Sequence, residues 1–148
     1  MSNQEKYEFC SQAWVDFARS YLTGAAEGQD LSGLDMTFNE VFTDVPAHIA
    51  LEGQAGRTGW YIKIQNGKLE VERGILDNPR LLITVDYETV LPLARMNFKE
   101  NPELMTEAGK IMEQATADGK FKREGDETVM AGLPWAANLH DALAERTV

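Results

Sequence analysis

Two alternating runs meet at Asn66-Gly67, and that junction constrains the fold more than any other stretch of the chain. A two-residue type I′ turn needs positive φ at both positions, which asparagine and glycine tolerate best. Before the turn, Trp60, Ile62 and Ile64 alternate with Tyr61, Lys63 and Gln65; after it, Leu69 and Val71 alternate with Glu70 and Glu72. A period of two puts each apolar set on one face, so the segment predicts an antiparallel hairpin with one buried side. That buried side needs more strands beside it and helices above it.

The flanking segments supply both. Apolar positions Phe9, Ala13, Trp14, Phe17, Ala18, Tyr21 and Leu22 recur at three- and four-residue steps, predicting a helix over residues 3–23 with Gly24 as its C-cap. Residues 25–35 read as a connector. Further strand patterns fall at 36–44, 47–52, 58–65, 68–73 and 80–85, with Gly53, Gly56 and Gly59 marking a turn before the hairpin. Asp86 is placed to cap a helix over 87–96 whose later part Pro92 weakens, and Glu88 favours its first turn. A second start signal, Asn101-Pro102-Glu103, opens a helix with the stripe Leu104, Met105, Ala108, Ile111, Met112 and Ala115, closed at Asp118-Gly119. Residues 120–124 make a short strand, and Pro134 opens a last helix to about residue 146 with Ala136, Leu139 and Leu143 facing inward. The expected class is α+β: a mostly antiparallel sheet of five to six strands covered by helices, in one domain spanning 1–148.

Composition narrows the partners. With 43% hydrophobic and 26% charged residues the chain is ordinary for a folded domain. Its 24 acidic residues against 14 basic ones give a formal net charge of -10, which repels phosphate backbones and anionic bilayers. Nucleic acid is therefore not expected as a partner, and neither is stable membrane insertion, since no apolar run reaches the roughly 20 residues that span a bilayer. The opening residues carry no signal-peptide pattern and the ending Glu145-Arg-Thr-Val148 is no peroxisomal address, so the expectation is a cytoplasmic, bacterial setting.

Candidates for chemistry are few. Cys10 is the single cysteine, and its neighbours Lys6 and Trp14 at four-residue spacing suggest a helix flank rather than an activated thiol. His48 and His140 lie far apart with no cysteine cluster, so no metal is expected. No nucleophile elbow and no phosphate loop is present, because Gly53, Gly56 and Gly59 lack the Gly-Lys-Ser/Thr ending that enters a helix. Glu70 and Glu72 share the solvent side of a strand. His140 and Asp141 are adjacent in sequence and cannot face each other on a helix.

In order along the chain, Gly59-Trp60, Asn66-Gly67-Lys68, Pro79-Arg80-Leu-Leu-Ile-Thr-Val-Asp86 and Gly119-Lys120-Phe121-Lys122 with Gly125-Asp126 resemble the sterol carrier protein type-2 family. The resemblance runs from residue 36 to the C-terminus. It departs between the Asp86 helix and Gly119, where residues 96–118 are longer than the family's linker helix. The resemblance implies a stand-alone module that holds a sterol, fatty acid or fatty acyl thioester in an apolar tunnel between the sheet and its helices, without cofactor and without catalysis. The tunnel residues it suggests are Phe98, Leu104, Met105, Ile111, Met112, Met130, Leu133, Trp135, Leu139 and Leu143, since methionine adapts to irregular apolar ligands and aromatics give large contact area. Lys120, Lys122 and Arg123 would offer positive charge at the rim. The alternatives are an enzyme or enzyme subunit that shelters a steroid or aromatic substrate in the same pocket, and an interaction subunit with a filled core. The expected partner is an apolar small molecule or lipid, and a homodimer stays open.

Overall fold

The structure is a computed structural model that describes residues 5–54 and 56–148, with Met130 described in its backbone alone. Five strands, β1 (Met36–Thr43), β2 (Thr58–Gln65), β3 (Lys68–Arg73), β4 (Leu81–Asp86) and β5 (Phe121–Gly125), form one sheet in the order β3-β2-β1-β4-β5. Only the β1–β4 pairing is parallel; the other three are antiparallel. Asn66 and Gly67 join β2 to β3 with φ of 54° and 74°, the two positive values that a type I′ turn requires.

Register fixes which residues share a face. One row across the sheet reads Val71, Ile62, Phe38, Leu81, Gly125; the next reads Arg73, Trp60, Glu40, Ile83, Arg123. A third reads Thr58, Phe42, Val85, Phe121. These rows form the inner face, and Ile62, Phe42, Val71 and Val85 are almost wholly buried there. Truncating Ile62 or Phe42 to alanine would cost about 2–5 kcal/mol. On the opposite face, Asn39 is buried because its amide donates to the carbonyls of Trp60 (2.8 Å) and Gly74 (3.2 Å) while its oxygen accepts from Leu76 N–H (2.6 Å), tying the β3–β4 connection to the sheet.

Four helices follow from the sequence pattern with corrected bounds: α1 (Gln12–Ala26), α2 (Tyr87–Ala94), α3 (Leu104–Ala117) and α4 (Leu139–Ala144). The expected start of the first helix at residue 3 is wrong for the described part, residues 5–11. Cys10 takes φ of 59°, which breaks a helix, and Ser11 then caps α1 by accepting the Trp14 N–H at 3.3 Å. Upstream, Tyr7 bridges Thr147 in a parallel pairing, with Val148 N–H on the Tyr7 carbonyl at 2.9 Å. Gly24 is an interior residue of α1; Gly28, with φ of 79°, follows its end.

Three further expectations are corrected. Residues 47–52 are not a strand: Ile49 and Ala50 N–H both turn back to the Pro46 carbonyl, at 2.9 and 3.1 Å. α3 starts at Leu104 rather than at Pro102, and Asp86 makes no side-chain cap on α2. The single last helix expected from Pro134 is broken into a short 3-10 turn, Pro134–Ala136, and α4, and a further 3-10 turn, Val129–Gly132, precedes it. The expected stop at Gly119 holds. Gly119 (φ 73°) and Lys120 donate to the Thr116 and Ala115 carbonyls at 3.1 and 2.8 Å, a Schellman closure that leads into β5.

All helices cover the inner face. α1 lies over the β3 side, where Arg19 donates to the Val71 carbonyl at 2.8 Å and pairs with Glu72 at 2.7 Å. Trp14 of α1 meets Trp60 edge-on at 5.4 Å between centroids. α2, α3 and α4 lie over the β1, β4 and β5 side, and there the covering is incomplete.

Candidate functional site

Between the inner face and α2, α3 and α4 lie two adjoining cavities of about 250 and 430 Å³. The first runs among Ile83, Val85, Val90, Leu93, Phe98, Met112 and Phe121, with Arg123 at its edge. The second runs among Phe38, Trp60, Ala131, Leu133, Pro134, Ala136 and Leu139. Both are bounded by Glu40, His140 and Leu143, so these three residues stand where the two meet. Apolar walls around a few convergent polar groups are the usual make-up of a small-molecule site.

The suggested tunnel residues divide among several places. Phe98 and Met112 line the first cavity, Leu133 and Leu139 the second, and Leu143 both. Leu104 and Ile111 instead pack half-buried against the small cluster of Leu93, Met96 and Ala108 between α2 and α3. Trp135 packs half-buried on the main core. Met105 points to solvent at 63% exposure, because the broad stripe read on α3 buries only Ala108 and Ala115 fully. The Met130 side chain lies outside the described residues.

The sequence reading missed Glu40. β1 carries Met36, Phe38, Glu40 and Phe42 at alternate positions, so an acid interrupts an apolar register, and that interruption was the available signal. Its Oε1 accepts the Trp60 Nε1–H at 2.8 Å. Burial pushes the carboxyl up to about 7, against the opposing pull of that hydrogen bond.

The histidines and the cysteine have structural settings. His140 stacks on Phe98 at 4.8 Å and 14°, and its Nε2 lies 3.0 Å from the Met96 carbonyl, which it meets as donor. Next to it, Asp141 accepts the Phe98 N–H at 2.9 Å. Adjacent residues of α4 thus hold one segment, 96–98, from two sides. His48, expected in a strand, sits in an exposed turn and pairs with Glu8 at 2.6 Å. Cys10 is buried, and burial pushes its thiol up to about 12 despite the nearby Arg73 guanidinium, so it stays protonated.

Of the three basic residues expected at the rim, the strand alternation sends Arg123 to the inner face and Lys122 to the outer one. Arg123 stacks over Phe121 at 5.2 Å and lies 3.8 Å from Glu127. Among the described residues, no helix is long and apolar enough to cross a membrane.

No family model matches the chain, and no curated protein does. Solved structures do match along most of its length, and they include the sterol carrier proteins that the sequence motifs resemble. A conserved hypothetical protein from Thermus thermophilus is 13% identical, with 99% of this chain and 94% of that one covered and a TM-score of 0.49. Sterol carrier protein domain 2 of Helicoverpa armigera is 14% identical, with 97% and 98% covered and a TM-score of 0.47. Palmitated SCP2L2 from Aedes aegypti is 13% identical, with 95% and 99% covered and a TM-score of 0.45. At such identity and overlap, what this chain binds has to be argued from its own cavities.

Proposed function

We propose that the chain binds and carries an apolar ligand in the space between its sheet and α2, α3 and α4. The observation that carries this reading is the pair of adjoining cavities that share Glu40, His140 and Leu143 under an otherwise apolar wall. The apolar side chains that line this space lack packing partners on one side and forgo dispersion contacts there. A ligand supplies the missing contacts. The residues at the meeting point make no nucleophile and base pair: Glu40 is bonded to Trp60, and His140 is committed to the Met96 carbonyl. Binding without bond making is therefore preferred over the enzyme reading.

Trp14 and Trp60 line the cavities and serve as built-in reporters. Titration with a neutral fluorescent apolar dye should give saturable binding, with energy transfer from tryptophan and a shift in tryptophan emission. No saturation up to the solubility limit of the dye would overturn the proposal.

A further inference from the structure

The inner face carries one acid at its centre, and the surroundings of that acid define which head group the cavities accept. In its row, Glu40 stands between Trp60 and Ile83, with Arg73 and Arg123 at the two ends. Arg73 is directed elsewhere, donating to the Cys10 carbonyl at 2.9 Å, to the Ile49 carbonyl and to Thr58 Oγ1 at 3.3 Å. Arg123 pairs with Glu127. Neither forms an ion pair with Glu40. His140 borders both cavities, yet its Nε2 is occupied by Met96, and the Cys10 thiol is protonated.

The carboxyl has one hydrogen bond among the described residues, from Trp60 Nε1–H to Oε1. Among those residues, no fully buried side-chain oxygen lacks a partner, so an unpartnered Oε2 must reach open cavity space. An acceptor thus faces an apolar chamber with nothing donated to it. Its raised affinity for a proton agrees with that setting.

We propose that Glu40 selects the head group of the ligand: the cavities take a long apolar body ended by an uncharged O–H or N–H donor, such as a fatty or cyclic alcohol, and discriminate against carboxylates. The proposal rests on the ligand-binding reading above and adds the chemistry of the polar end. A hydroxyl donates to Oε2 and forms a charge-assisted hydrogen bond. A carboxylate at the same place puts two acids side by side, so one has to hold a proton or both repel. Rejection by like charge is how a site built for one head group excludes another.

The test is displacement of a bound neutral dye by dodecanol and by dodecanoate at about pH 9, well above the value of about 7 to which burial raises Glu40. Wild-type protein should release the dye at a concentration of dodecanol at least about ten-fold below that of dodecanoate, the effect of roughly one unit of acid-pair coupling. Alcohols are also intrinsically more apolar, so the decisive comparison is Glu40→Gln, which keeps an acceptor for Trp60 and adds an amide donor. Its alcohol-to-acid preference should shrink by about ten-fold. Glu40→Ala, which removes the carboxylate altogether, should shrink the preference likewise and provides a second variant. A preference that Glu40→Gln leaves unchanged overturns the proposal. So does wild-type dodecanoate binding that matches dodecanol and vanishes in Arg123→Ala, since the head then sits at the rim. Dye binding with a flat head-group preference removes the Glu40 assignment alone; absence of dye binding removes the ligand reading and this inference with it.

Discussion

Two residues show how much a single position decides here. Gly125 closes β5 with φ of 105°, and a Cβ built on it would lie 2.0 Å from the Arg80 carbonyl oxygen, the same oxygen that accepts Asp126 N–H at 2.7 Å. Gly125→Ala should therefore pull β5 from β4 and cost roughly 2–4 kcal/mol, read as a lowered urea midpoint. A midpoint equal to wild type would mean that the β4–β5 edge is not where the strain lies. Glu40 decides a pH dependence. Its carboxyl rises from an ordinary 4.5 to about 7 in the folded protein through burial, so between those values the folded state holds a proton that the unfolded chain has released. The contribution of Glu40 to stability therefore falls as pH rises from about 4.5 to about 7 and is level above, by on the order of 1–3 kcal/mol. Glu40→Gln should flatten this slope and be more stable than wild type at neutral pH, measured by urea unfolding at a series of pH values. Equal slopes in the two proteins would show a well-hydrated carboxyl. The glycine was legible in the sequence as part of a strand-closing motif. Glu40 was signalled only by its interruption of an apolar register, which shows the face it lies on but not what surrounds it there.

Elements were legible where local chemistry sets them. β2 and β3 occupy the residues expected from alternation, and their turn has the backbone that Asn66-Gly67 calls for. Gly67→Val tests the turn by itself, since a Cβ there meets nothing within 4 Å and any loss is conformational. Forcing a β-branched residue into left-handed backbone should lower the urea midpoint by the equivalent of about 1–2 kcal/mol. An unchanged midpoint would mean that the hairpin register is held by Trp60, Ile62 and Val71 without help from the turn. Elements went astray where long-range contacts override local pattern. Residues 5–11 read as helix from the spacing of Phe9, yet Phe9 is needed against Phe42 at 4.8 Å and the chain is drawn out to bridge Thr147. Residues 47–52 read as strand from Ile49 and Leu51, yet the Pro46 carbonyl collects two N–H groups, and Arg73 takes the Ile49 carbonyl, leaving no ladder.

At the scale of the whole molecule, the core has two parts of unequal size. The larger joins the sheet, α1 and α4; the smaller holds Leu93, Met96 and Ala108 with half-buried Phe98, Leu104, Ile111 and Met112 around them. The first cavity lies where the two parts meet; of the residues suggested on α3, Met112 lines it, Leu104 and Ile111 pack in the smaller part and Met105 is exposed. Helical spacing shows that a face is apolar; it does not show whether that face meets a ligand, a neighbouring helix or water. α3 buries only Ala108 and Ala115 fully, and small side chains of this kind anchor a helix weakly. Local opening should therefore begin there, and α3 amides should exchange hydrogen faster than those of β1 and β2. Because Ala108 and Met112 of α3 wall the first cavity, a ligand bound inside favours the closed arrangement. An apolar dye at about one hundred times its dissociation constant should slow α3 exchange by up to about 100-fold while leaving the fastest amides of the 28–34 connector unchanged. The measurement is hydrogen exchange followed by mass spectrometry, with and without dye. Exchange in α3 as slow as in β2 without ligand, or unaltered when the dye is bound, would show that α3 is a fixed wall and that ligands enter past the 3-10 turns beside Leu133 and Pro134.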